Sequence, residues 1–89
     1  MTFTVAARCP TTGSLGICIA TSSPAVGSRC VHVMHNVGVI AHQATPEPRI
    51  ARVGMKLLEM GFKAPKVMRE LEDSDVDMEY RQIAVIDRD

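Results

Sequence analysis

The sequence has no tryptophan, one tyrosine and two phenylalanines among its 89 residues. With so few aromatics it lacks the material for an aromatic-rich binding face. It also lacks an excess of either charge, with ten basic and ten acidic residues scattered along the chain. A balanced surface exerts no electrostatic pull on nucleic acid or anionic lipid, so neither is expected as a partner. No run approaches the ~20 apolar residues of a membrane span. The opening, Met1 to Arg8, has neither the basic segment nor the long apolar run of a signal peptide. The three cysteines, Cys9, Cys18 and Cys30, are an odd number without the spacing of a disulfide scaffold. These absences together predict a cytoplasmic protein with free thiols.

What the chain has is aliphatic. Val, Ile, Ala, Leu and Met dominate a hydrophobic share of 46%, which suits close-packed layers of sheet and helix. At this length one small domain is the limit, and a lone core gives it modest stability. Residues 2–8 alternate with period two and predict a strand. Cys9-Pro10-Thr11-Thr12-Gly13 is dense in turn formers, and residues 14–22 read as a second strand. So short a connection makes the pair an antiparallel hairpin.

Residues 23–36 break the pattern. Ser23-Pro24 and Gly27-Ser28 mark a loop, and residues 29–35 read as either a short extended piece or one helical turn. Asn36 to Gln43 predicts a third strand. Gly16 and Gly38, inside strands, point to a bulge or to the close approach of another backbone. Thr45 reads as a helix cap, with Pro46 at the first position and Glu47 in the first turn. Ile50, Val53, Met55, Leu57, Leu58 and Phe62 follow at mostly helical spacing, and Gly61 supplies the stop. Pro65 opens a second helix that buries Val67, Met68 and Leu71. Glu70, Glu72, Asp73, Asp75 and Asp77 oppose its dipole and predict fraying soon after Leu71. Residues 80–87 form a last strand. Ile83 and Val85 lie on one side of it and Ala84 and Ile86 on the other, so both faces require burial. Two short helices cover one face, and something further must cover the second.

The segments Thr2-Phe-Thr-Val-Ala-Ala-Arg8, Pro10-Thr-Thr-Gly-Ser-Leu-Gly16 and Ala20-Thr-Ser-Ser-Pro-Ala-Val-Gly-Ser28 carry a family resemblance. It continues through Val37-Gly-Val-Ile-Ala-His-Gln-Ala44, Gly54-Met-Lys-Leu-Leu-Glu-Met-Gly61 and Glu79-Tyr-Arg-Gln-Ile-Ala-Val-Ile-Asp87. In this order the chain resembles a bacterial family of unknown function (domain of unknown function 1028) assigned to the N-terminal-nucleophile (Ntn) hydrolase superfamily. The resemblance implies an α+β fold that is part of an αββα four-layer sandwich, an antiparallel sheet with two helices completed by further chain or a partner. Residues 1–89 would form the N-terminal portion of a single domain, because members continue past the strand ending at Asp87. The expected partner is therefore a second polypeptide carrying the rest, whether fragment, natural subunit or cleavage product. Uncovered apolar sheet faces also lead us to expect a homo-oligomer of the assembled unit.

In this superfamily the nucleophile is a Thr, Ser or Cys at a free N-terminus, whose own α-amine is the general base. An α-amine with a pKa of roughly 7.7–8.0 is partly neutral at pH 7 and sits beside the side-chain oxygen. Thr2 fits this role after removal of Met1. With Met1 in place its nitrogen is an amide, and Thr2 is an ordinary strand residue. A minor route places the nucleophile at the start of a new chain after cleavage beyond Asp89. The activity implied is an amidohydrolase acting on a C–N bond of a small linear or cyclic amide, with no cofactor. The alternative is a non-catalytic structural or ligand-binding subunit of the same fold.

The loop after the second strand supplies further candidates. Ser22 or Ser23 can orient an amide carbonyl, Arg29 can bind a carboxylate bidentately, and Cys30 can present a thiol. The plainer reading makes the serines turn caps and Cys30 a small core residue. Gln43 and Arg81 can either donate to a substrate or satisfy each other across the sheet. Cys30, His32, His35 and His42 lack any paired ligand motif, so no metal is expected.

Overall fold

The structure, a computed structural model, describes residues 2–22, 30–44, 48–75 and 81–89. Its first two strands, β1 (Thr2–Arg8) and β2 (Leu15–Thr21), form the expected antiparallel hairpin, with Thr2 opposite Thr21 and Arg8 opposite Leu15. The connection closes with Cys9 N–H donating to the Ser14 carbonyl and Gly13 N–H to the Cys9 carbonyl, and Gly13 takes a φ of 77°. Residues 31–34, left open between strand and helical turn, are a strand, β3 (Val31–Met34). Asn36 is not the start of the next strand. It occupies the left-handed region at φ 59° in the turn after β3, which its short polar side chain tolerates. Strand β4 (Gly38–Ala44) then runs back antiparallel to β3, and β5 (Arg81–Asp87) pairs on its other side.

Between β4 and β5 lie the helices α1 (Pro48–Glu59) and α2 (Ala64–Ser74). The expected cap of α1 at Thr45, Pro46 and Glu47 lies outside the described residues. Its C-terminus is closed by Gly61 at φ 96°, with Gly61 N–H bonded to the Leu58 carbonyl and Phe62 N–H to the Leu57 carbonyl. This pair of bonds is the Schellman arrangement, which satisfies carbonyls that the helix leaves open. Helix α2 begins one residue before Pro65. Its first N–H, on Ala64, is taken by the Asp87 carboxylate at 2.7 Å, so the last strand caps the second helix. The expected fraying after Leu71 does not occur. The Ser74 hydroxyl donates to the Glu70 carbonyl at 2.7 Å, Lys66 and Glu70 pair one turn apart, and these local bonds offset the unfavourable dipole.

One sheet is not the whole answer. The strands form two antiparallel sheets, β1-β2 and β3-β4-β5, in an α+β arrangement with two helices. The helices pack on one face of the three-stranded sheet, where Ile40, Ile50, Ala51, Met55, Leu58, Val67 and Leu71 form the core against Ile83 and Val85. Each fully buried aliphatic side chain there stabilises by roughly 1.5–3 kcal/mol. Val53 and Phe62, expected on the buried stripe, are instead 39% exposed; Ala51 and Gly54 take the inward positions. The opposite face of the sheet is met by the chain's own first hairpin, as the cross-sheet hydrogen bond from Thr4 to Gln43 shows. The cover required for β5 therefore begins within residues 2–21. The outer face of that hairpin stays open, with Phe3 66% and Val5 63% exposed.

Gly38 makes the close approach expected of a strand glycine, and Gly16 does not. A Cβ at Gly38 would stand 2.6 Å from the Ile86 carbonyl oxygen and 2.8 Å from Leu58 Cδ1, whereas nothing lies within 4 Å of one at Gly16. Because the Gly38 neighbour is backbone, Gly38→Ala should destabilise the protein by about 1–3 kcal/mol in urea unfolding. A Cβ at Gly54 would also meet an atom at 2.6 Å, but that atom is the tip of the Ile40 side chain. Gly54→Ala should cost less, because helix propensity returns about 1 kcal/mol.

Candidate functional site in the cleft between the sheets

Alternation along β1 turns Thr2, Thr4, Ala6 and Arg8 toward the second sheet and Phe3, Val5 and Ala7 away from it. On β4 and β5 the same rule brings Ala41 and Gln43, and Gln82, Ala84 and Ile86, to the facing surface. The residues between the sheets divide by chemistry. On β2 they are mostly aliphatic, Leu15, Ile17 and Ile19 ahead of Thr21; on β1 mostly polar, Thr2, Thr4 and Arg8 with Ala6. The polar half does not close, and an open cleft of about 380 Å³ remains, lined by Thr4, Ala6, Ala41, Gln43, Gln82, Ile83, Ala84 and Ile86.

A directed run of hydrogen bonds crosses this cleft. The Thr4 hydroxyl donates to Gln43 Oε1 at 2.8 Å, and Gln43 Nε2 donates to Gln82 Oε1 at 2.6 Å. Every member points the same way, so the exposed Gln82 amino group is the outermost donor of the run. Neither a hydroxyl nor an amide titrates near neutral pH. The run can orient and polarise a carbonyl, but it cannot act as a base.

Thr2 stands two residues along β1 on the same face, about 7 Å from Thr4 by strand rise. Its hydroxyl lies 2.9 Å from that of Thr21, its cross-strand partner. This contact fixes the side chain at the head of the strand. At the other end of the cleft, Arg8 Nη1 donates to the Asp87 carbonyl at 3.0 Å and lies 3.6 Å from the carboxylate. That carboxylate also caps α2, so Arg8 ties the hairpin to the sheet and to the helix layer at one point.

The residues singled out from sequence fare differently. Thr2 and Gln43 share the inter-sheet face. Ser22 is exposed at the end of β2, next to Thr21. Ser23 and Arg29 lie outside the described residues. Arg81 holds the first position of β5, in register with Ala44, and its side chain is outside the described set. Cys30 is 4% exposed, and its carbonyl accepts the His42 N–H. It belongs to the helix side of the sheet and does not reach the cleft. Thr4, Thr21 and Gln82 were missed. The signal for Thr4 and Thr21 was present in the period-two pattern of residues 2–8 and in the hairpin register, which pairs Thr2 with Thr21; Gln82 emerges only from the pairing of β4 with β5, which sets it opposite Gln43.

His32 and His42 meet on the helix side of the sheet, Nε2 to Nε2 at 3.0 Å with rings 11° from parallel. Which nitrogen donates and which accepts depends on the tautomer of each ring. His35 is exposed in the turn, and no three potential metal ligands converge among the described residues. No helix among them is long and apolar enough to cross a membrane.

The loop between β1 and β2 perturbs one thiol. The Thr12 hydroxyl and the backbone N–H groups of Thr12 and Thr11 turn toward Cys9 and hold its pKa below the ordinary thiol value. Hydrogen bonds to sulfur favour the thiolate. The pH midpoint for alkylation of Cys9 by iodoacetamide should accordingly lie below that of an unperturbed thiol. Thr12→Val should move it upward, read by peptide mass spectrometry across a pH series.

Comparison with known proteins agrees with this architecture. The crystal structure of protein SPO2555 from Silicibacter pomeroyi superposes with a TM-score of 0.89 at 30% sequence identity, over 98% of this chain and 41% of that one. The chain thus spans about two fifths of that relative's length, 41%. No curated protein matches it. The model of the family of unknown function DUF1028 matches residues 2–89, nearly the full length, and the chain belongs to that family.

Proposed function

We propose that this chain is the nucleophile-bearing part of an Ntn-type amidohydrolase that cuts the C–N bond of a small amide. One observation carries the proposal: the Thr2 hydroxyl heads β1 on the inter-sheet face, held by Thr21, one strand repeat from a donor-ended run of side chains. With Met1 removed, the Thr2 α-amine accepts the hydroxyl proton as Oγ1 attacks the substrate carbonyl. In this reading the Gln82 amino group, the outer end of the run, donates to the developing oxyanion. Collapse of the tetrahedral adduct breaks the C–N bond, and the ammonium returns its proton to the leaving nitrogen. Water, deprotonated by the same amine, then hydrolyses the Thr2 ester and releases the acid. In this reading residues 2–89 are part of a larger domain, in keeping with the longer solved relative and the open Phe3–Val5 face. The assembled unit is read as a cytoplasmic homo-oligomer, in keeping with three free thiols among the described residues.

A second reading, a non-catalytic ligand-binding subunit, draws support from the cleft lining itself, which contains no titratable side chain. The two are separated by treating the full-length protein with a β-lactone and measuring intact mass. The catalytic reading expects one acyl adduct on a chain that lacks Met1, lost in Thr2→Ala. It also expects amide turnover to fall by ~10³-fold or more in that variant. A chain that keeps Met1, or labelling indifferent to Thr2→Ala, would leave the binding reading in possession. Gln82→Leu should lower kcat by about 10²-fold with little change in KM if its amide meets the oxyanion, measured by steady-state kinetics.

A further inference from the structure

Among the described residues, the β3 edge of the three-stranded sheet is unpaired. In the order β3-β4-β5, β3 pairs only with β4 among the described residues. Cys30 and Met34 direct their carbonyls inward, to His42 N–H and Val37 N–H. In an antiparallel ladder alternate residues turn their backbone groups to the same side. Val31 and Val33 therefore turn N–H and C=O outward. The strand carries no proline, lysine or carboxylate to discourage pairing, and Val33 is 46% and Met34 38% exposed.

Beside this edge runs a groove of about 520 Å³ between β3 and α1. Its helix wall presents Arg52, Met55, Lys56 and Glu59, and its strand wall includes His32 and Met34. Arg52, Lys56 and Glu59 are exposed, and none forms an ion pair among the described residues. Arg52 and Glu59, two turns apart on the helix, complement each other when the helix is read in reverse, and Lys56 falls near the midpoint between them.

We propose that this edge and groove form the interface with a second copy of the chain, related by a two-fold axis through His32. Antiparallel pairing of the two β3 edges sets His32 opposite His32. Each Val31 then exchanges both outward backbone bonds with Val33 of the other copy, joining the two three-stranded sheets into one. Met55 and Lys56 line the same groove as His32, and the same axis is taken to cross α1 between them. An antiparallel α1 pair centred between Met55 and Lys56 brings Arg52 of each copy against Glu59 of the other. Backbone pattern and charge pattern obey one symmetry operator, as an isologous interface requires. The interface lies across the sheet from Thr2, so it does not depend on the catalytic reading.

The test uses the full-length protein in sedimentation equilibrium over a concentration series. Wild type should be a dimer or a multiple of one. Arg52→Glu and Glu59→Arg, each placing like charges in contact twice, should each raise the dimer dissociation constant about tenfold. The double exchange should restore it to within about threefold of wild type. All three positions of the charge pattern are exposed, so melting temperatures at dilution should stay unchanged and mark the variants as folded. A wild-type protein that stays monomeric at ~100 μM would overturn the proposal, because the edge is then covered by the protein's own further chain. A dimer whose constant ignores both single reversals would overturn it equally, by placing the contact elsewhere.

Discussion

The structure depends on β4. This strand is paired along both edges, by β3 and by β5, and is covered on both faces. Val39 and Ile40, which point to opposite sides, are 1% and 0% exposed. A strand enclosed in this way needs two separate apolar covers, and the chain provides them from opposite ends of its order: the hairpin first, the helix pair later. The short turn at Asn36, the glycine at position 38 and the carboxylate at Asp87 each follow from the need to close these layers. Gly38 lets the start of β4 approach the end of β5 so closely that a Cβ there would stand 2.6 Å from the Ile86 carbonyl oxygen. Asp87 ends β5 where it can cap α2 and receive Arg8.

The two covers differ in kind, and that difference creates the candidate site. The helix side is a dry aliphatic core of the sort that stabilises a small domain by area alone. On the hairpin side β2 contributes Leu15, Ile17 and Ile19 but β1 contributes Thr2, Thr4 and Arg8, and every inward residue of the hairpin remains half-buried. Threonine and glutamine facing each other cannot be sealed without leaving donors unsatisfied, so the layer stays open where they meet. The directed run from Thr4 to Gln82 is the form in which those groups satisfy one another. A cleft of this composition recognises hydrogen-bonding groups, and the proposed amide chemistry rests on that match together with Thr2.

Much of this was legible in advance, for identifiable reasons. Period-two alternation and turn chemistry located β1, β2 and β4, and helical spacing with Gly61 located α1, because these signals act within a few residues. The expectations that failed did so for local and distant reasons alike. Fraying of α2 was expected from its own charges, and Ser74 prevented it through a bond to the Glu70 carbonyl. Spacing places Val53 in the core, yet α1 turns Ala51 and Gly54 inward, and at Gly54 a Cβ would stand 2.6 Å from the tip of Ile40. The sequence marks Gln43 and Arg81 as candidates and gives no such sign for Gln82. Only the pairing of β4 with β5 shows that Gln43 faces Gln82.

By itself the sequence determined the elements, the hairpin, the aliphatic core and the absence of a charged or aromatic binding face. Each of these follows from local stereochemistry or bulk composition. The tertiary structure alone decided that the hairpin forms a second sheet, that its polar strand lies over β4 and β5, and that Thr4, Gln43 and Gln82 become one hydrogen-bonded run. Those outcomes depend on which faces meet across dozens of residues, and hydrophobic patterning states that a face must be buried without stating what buries it.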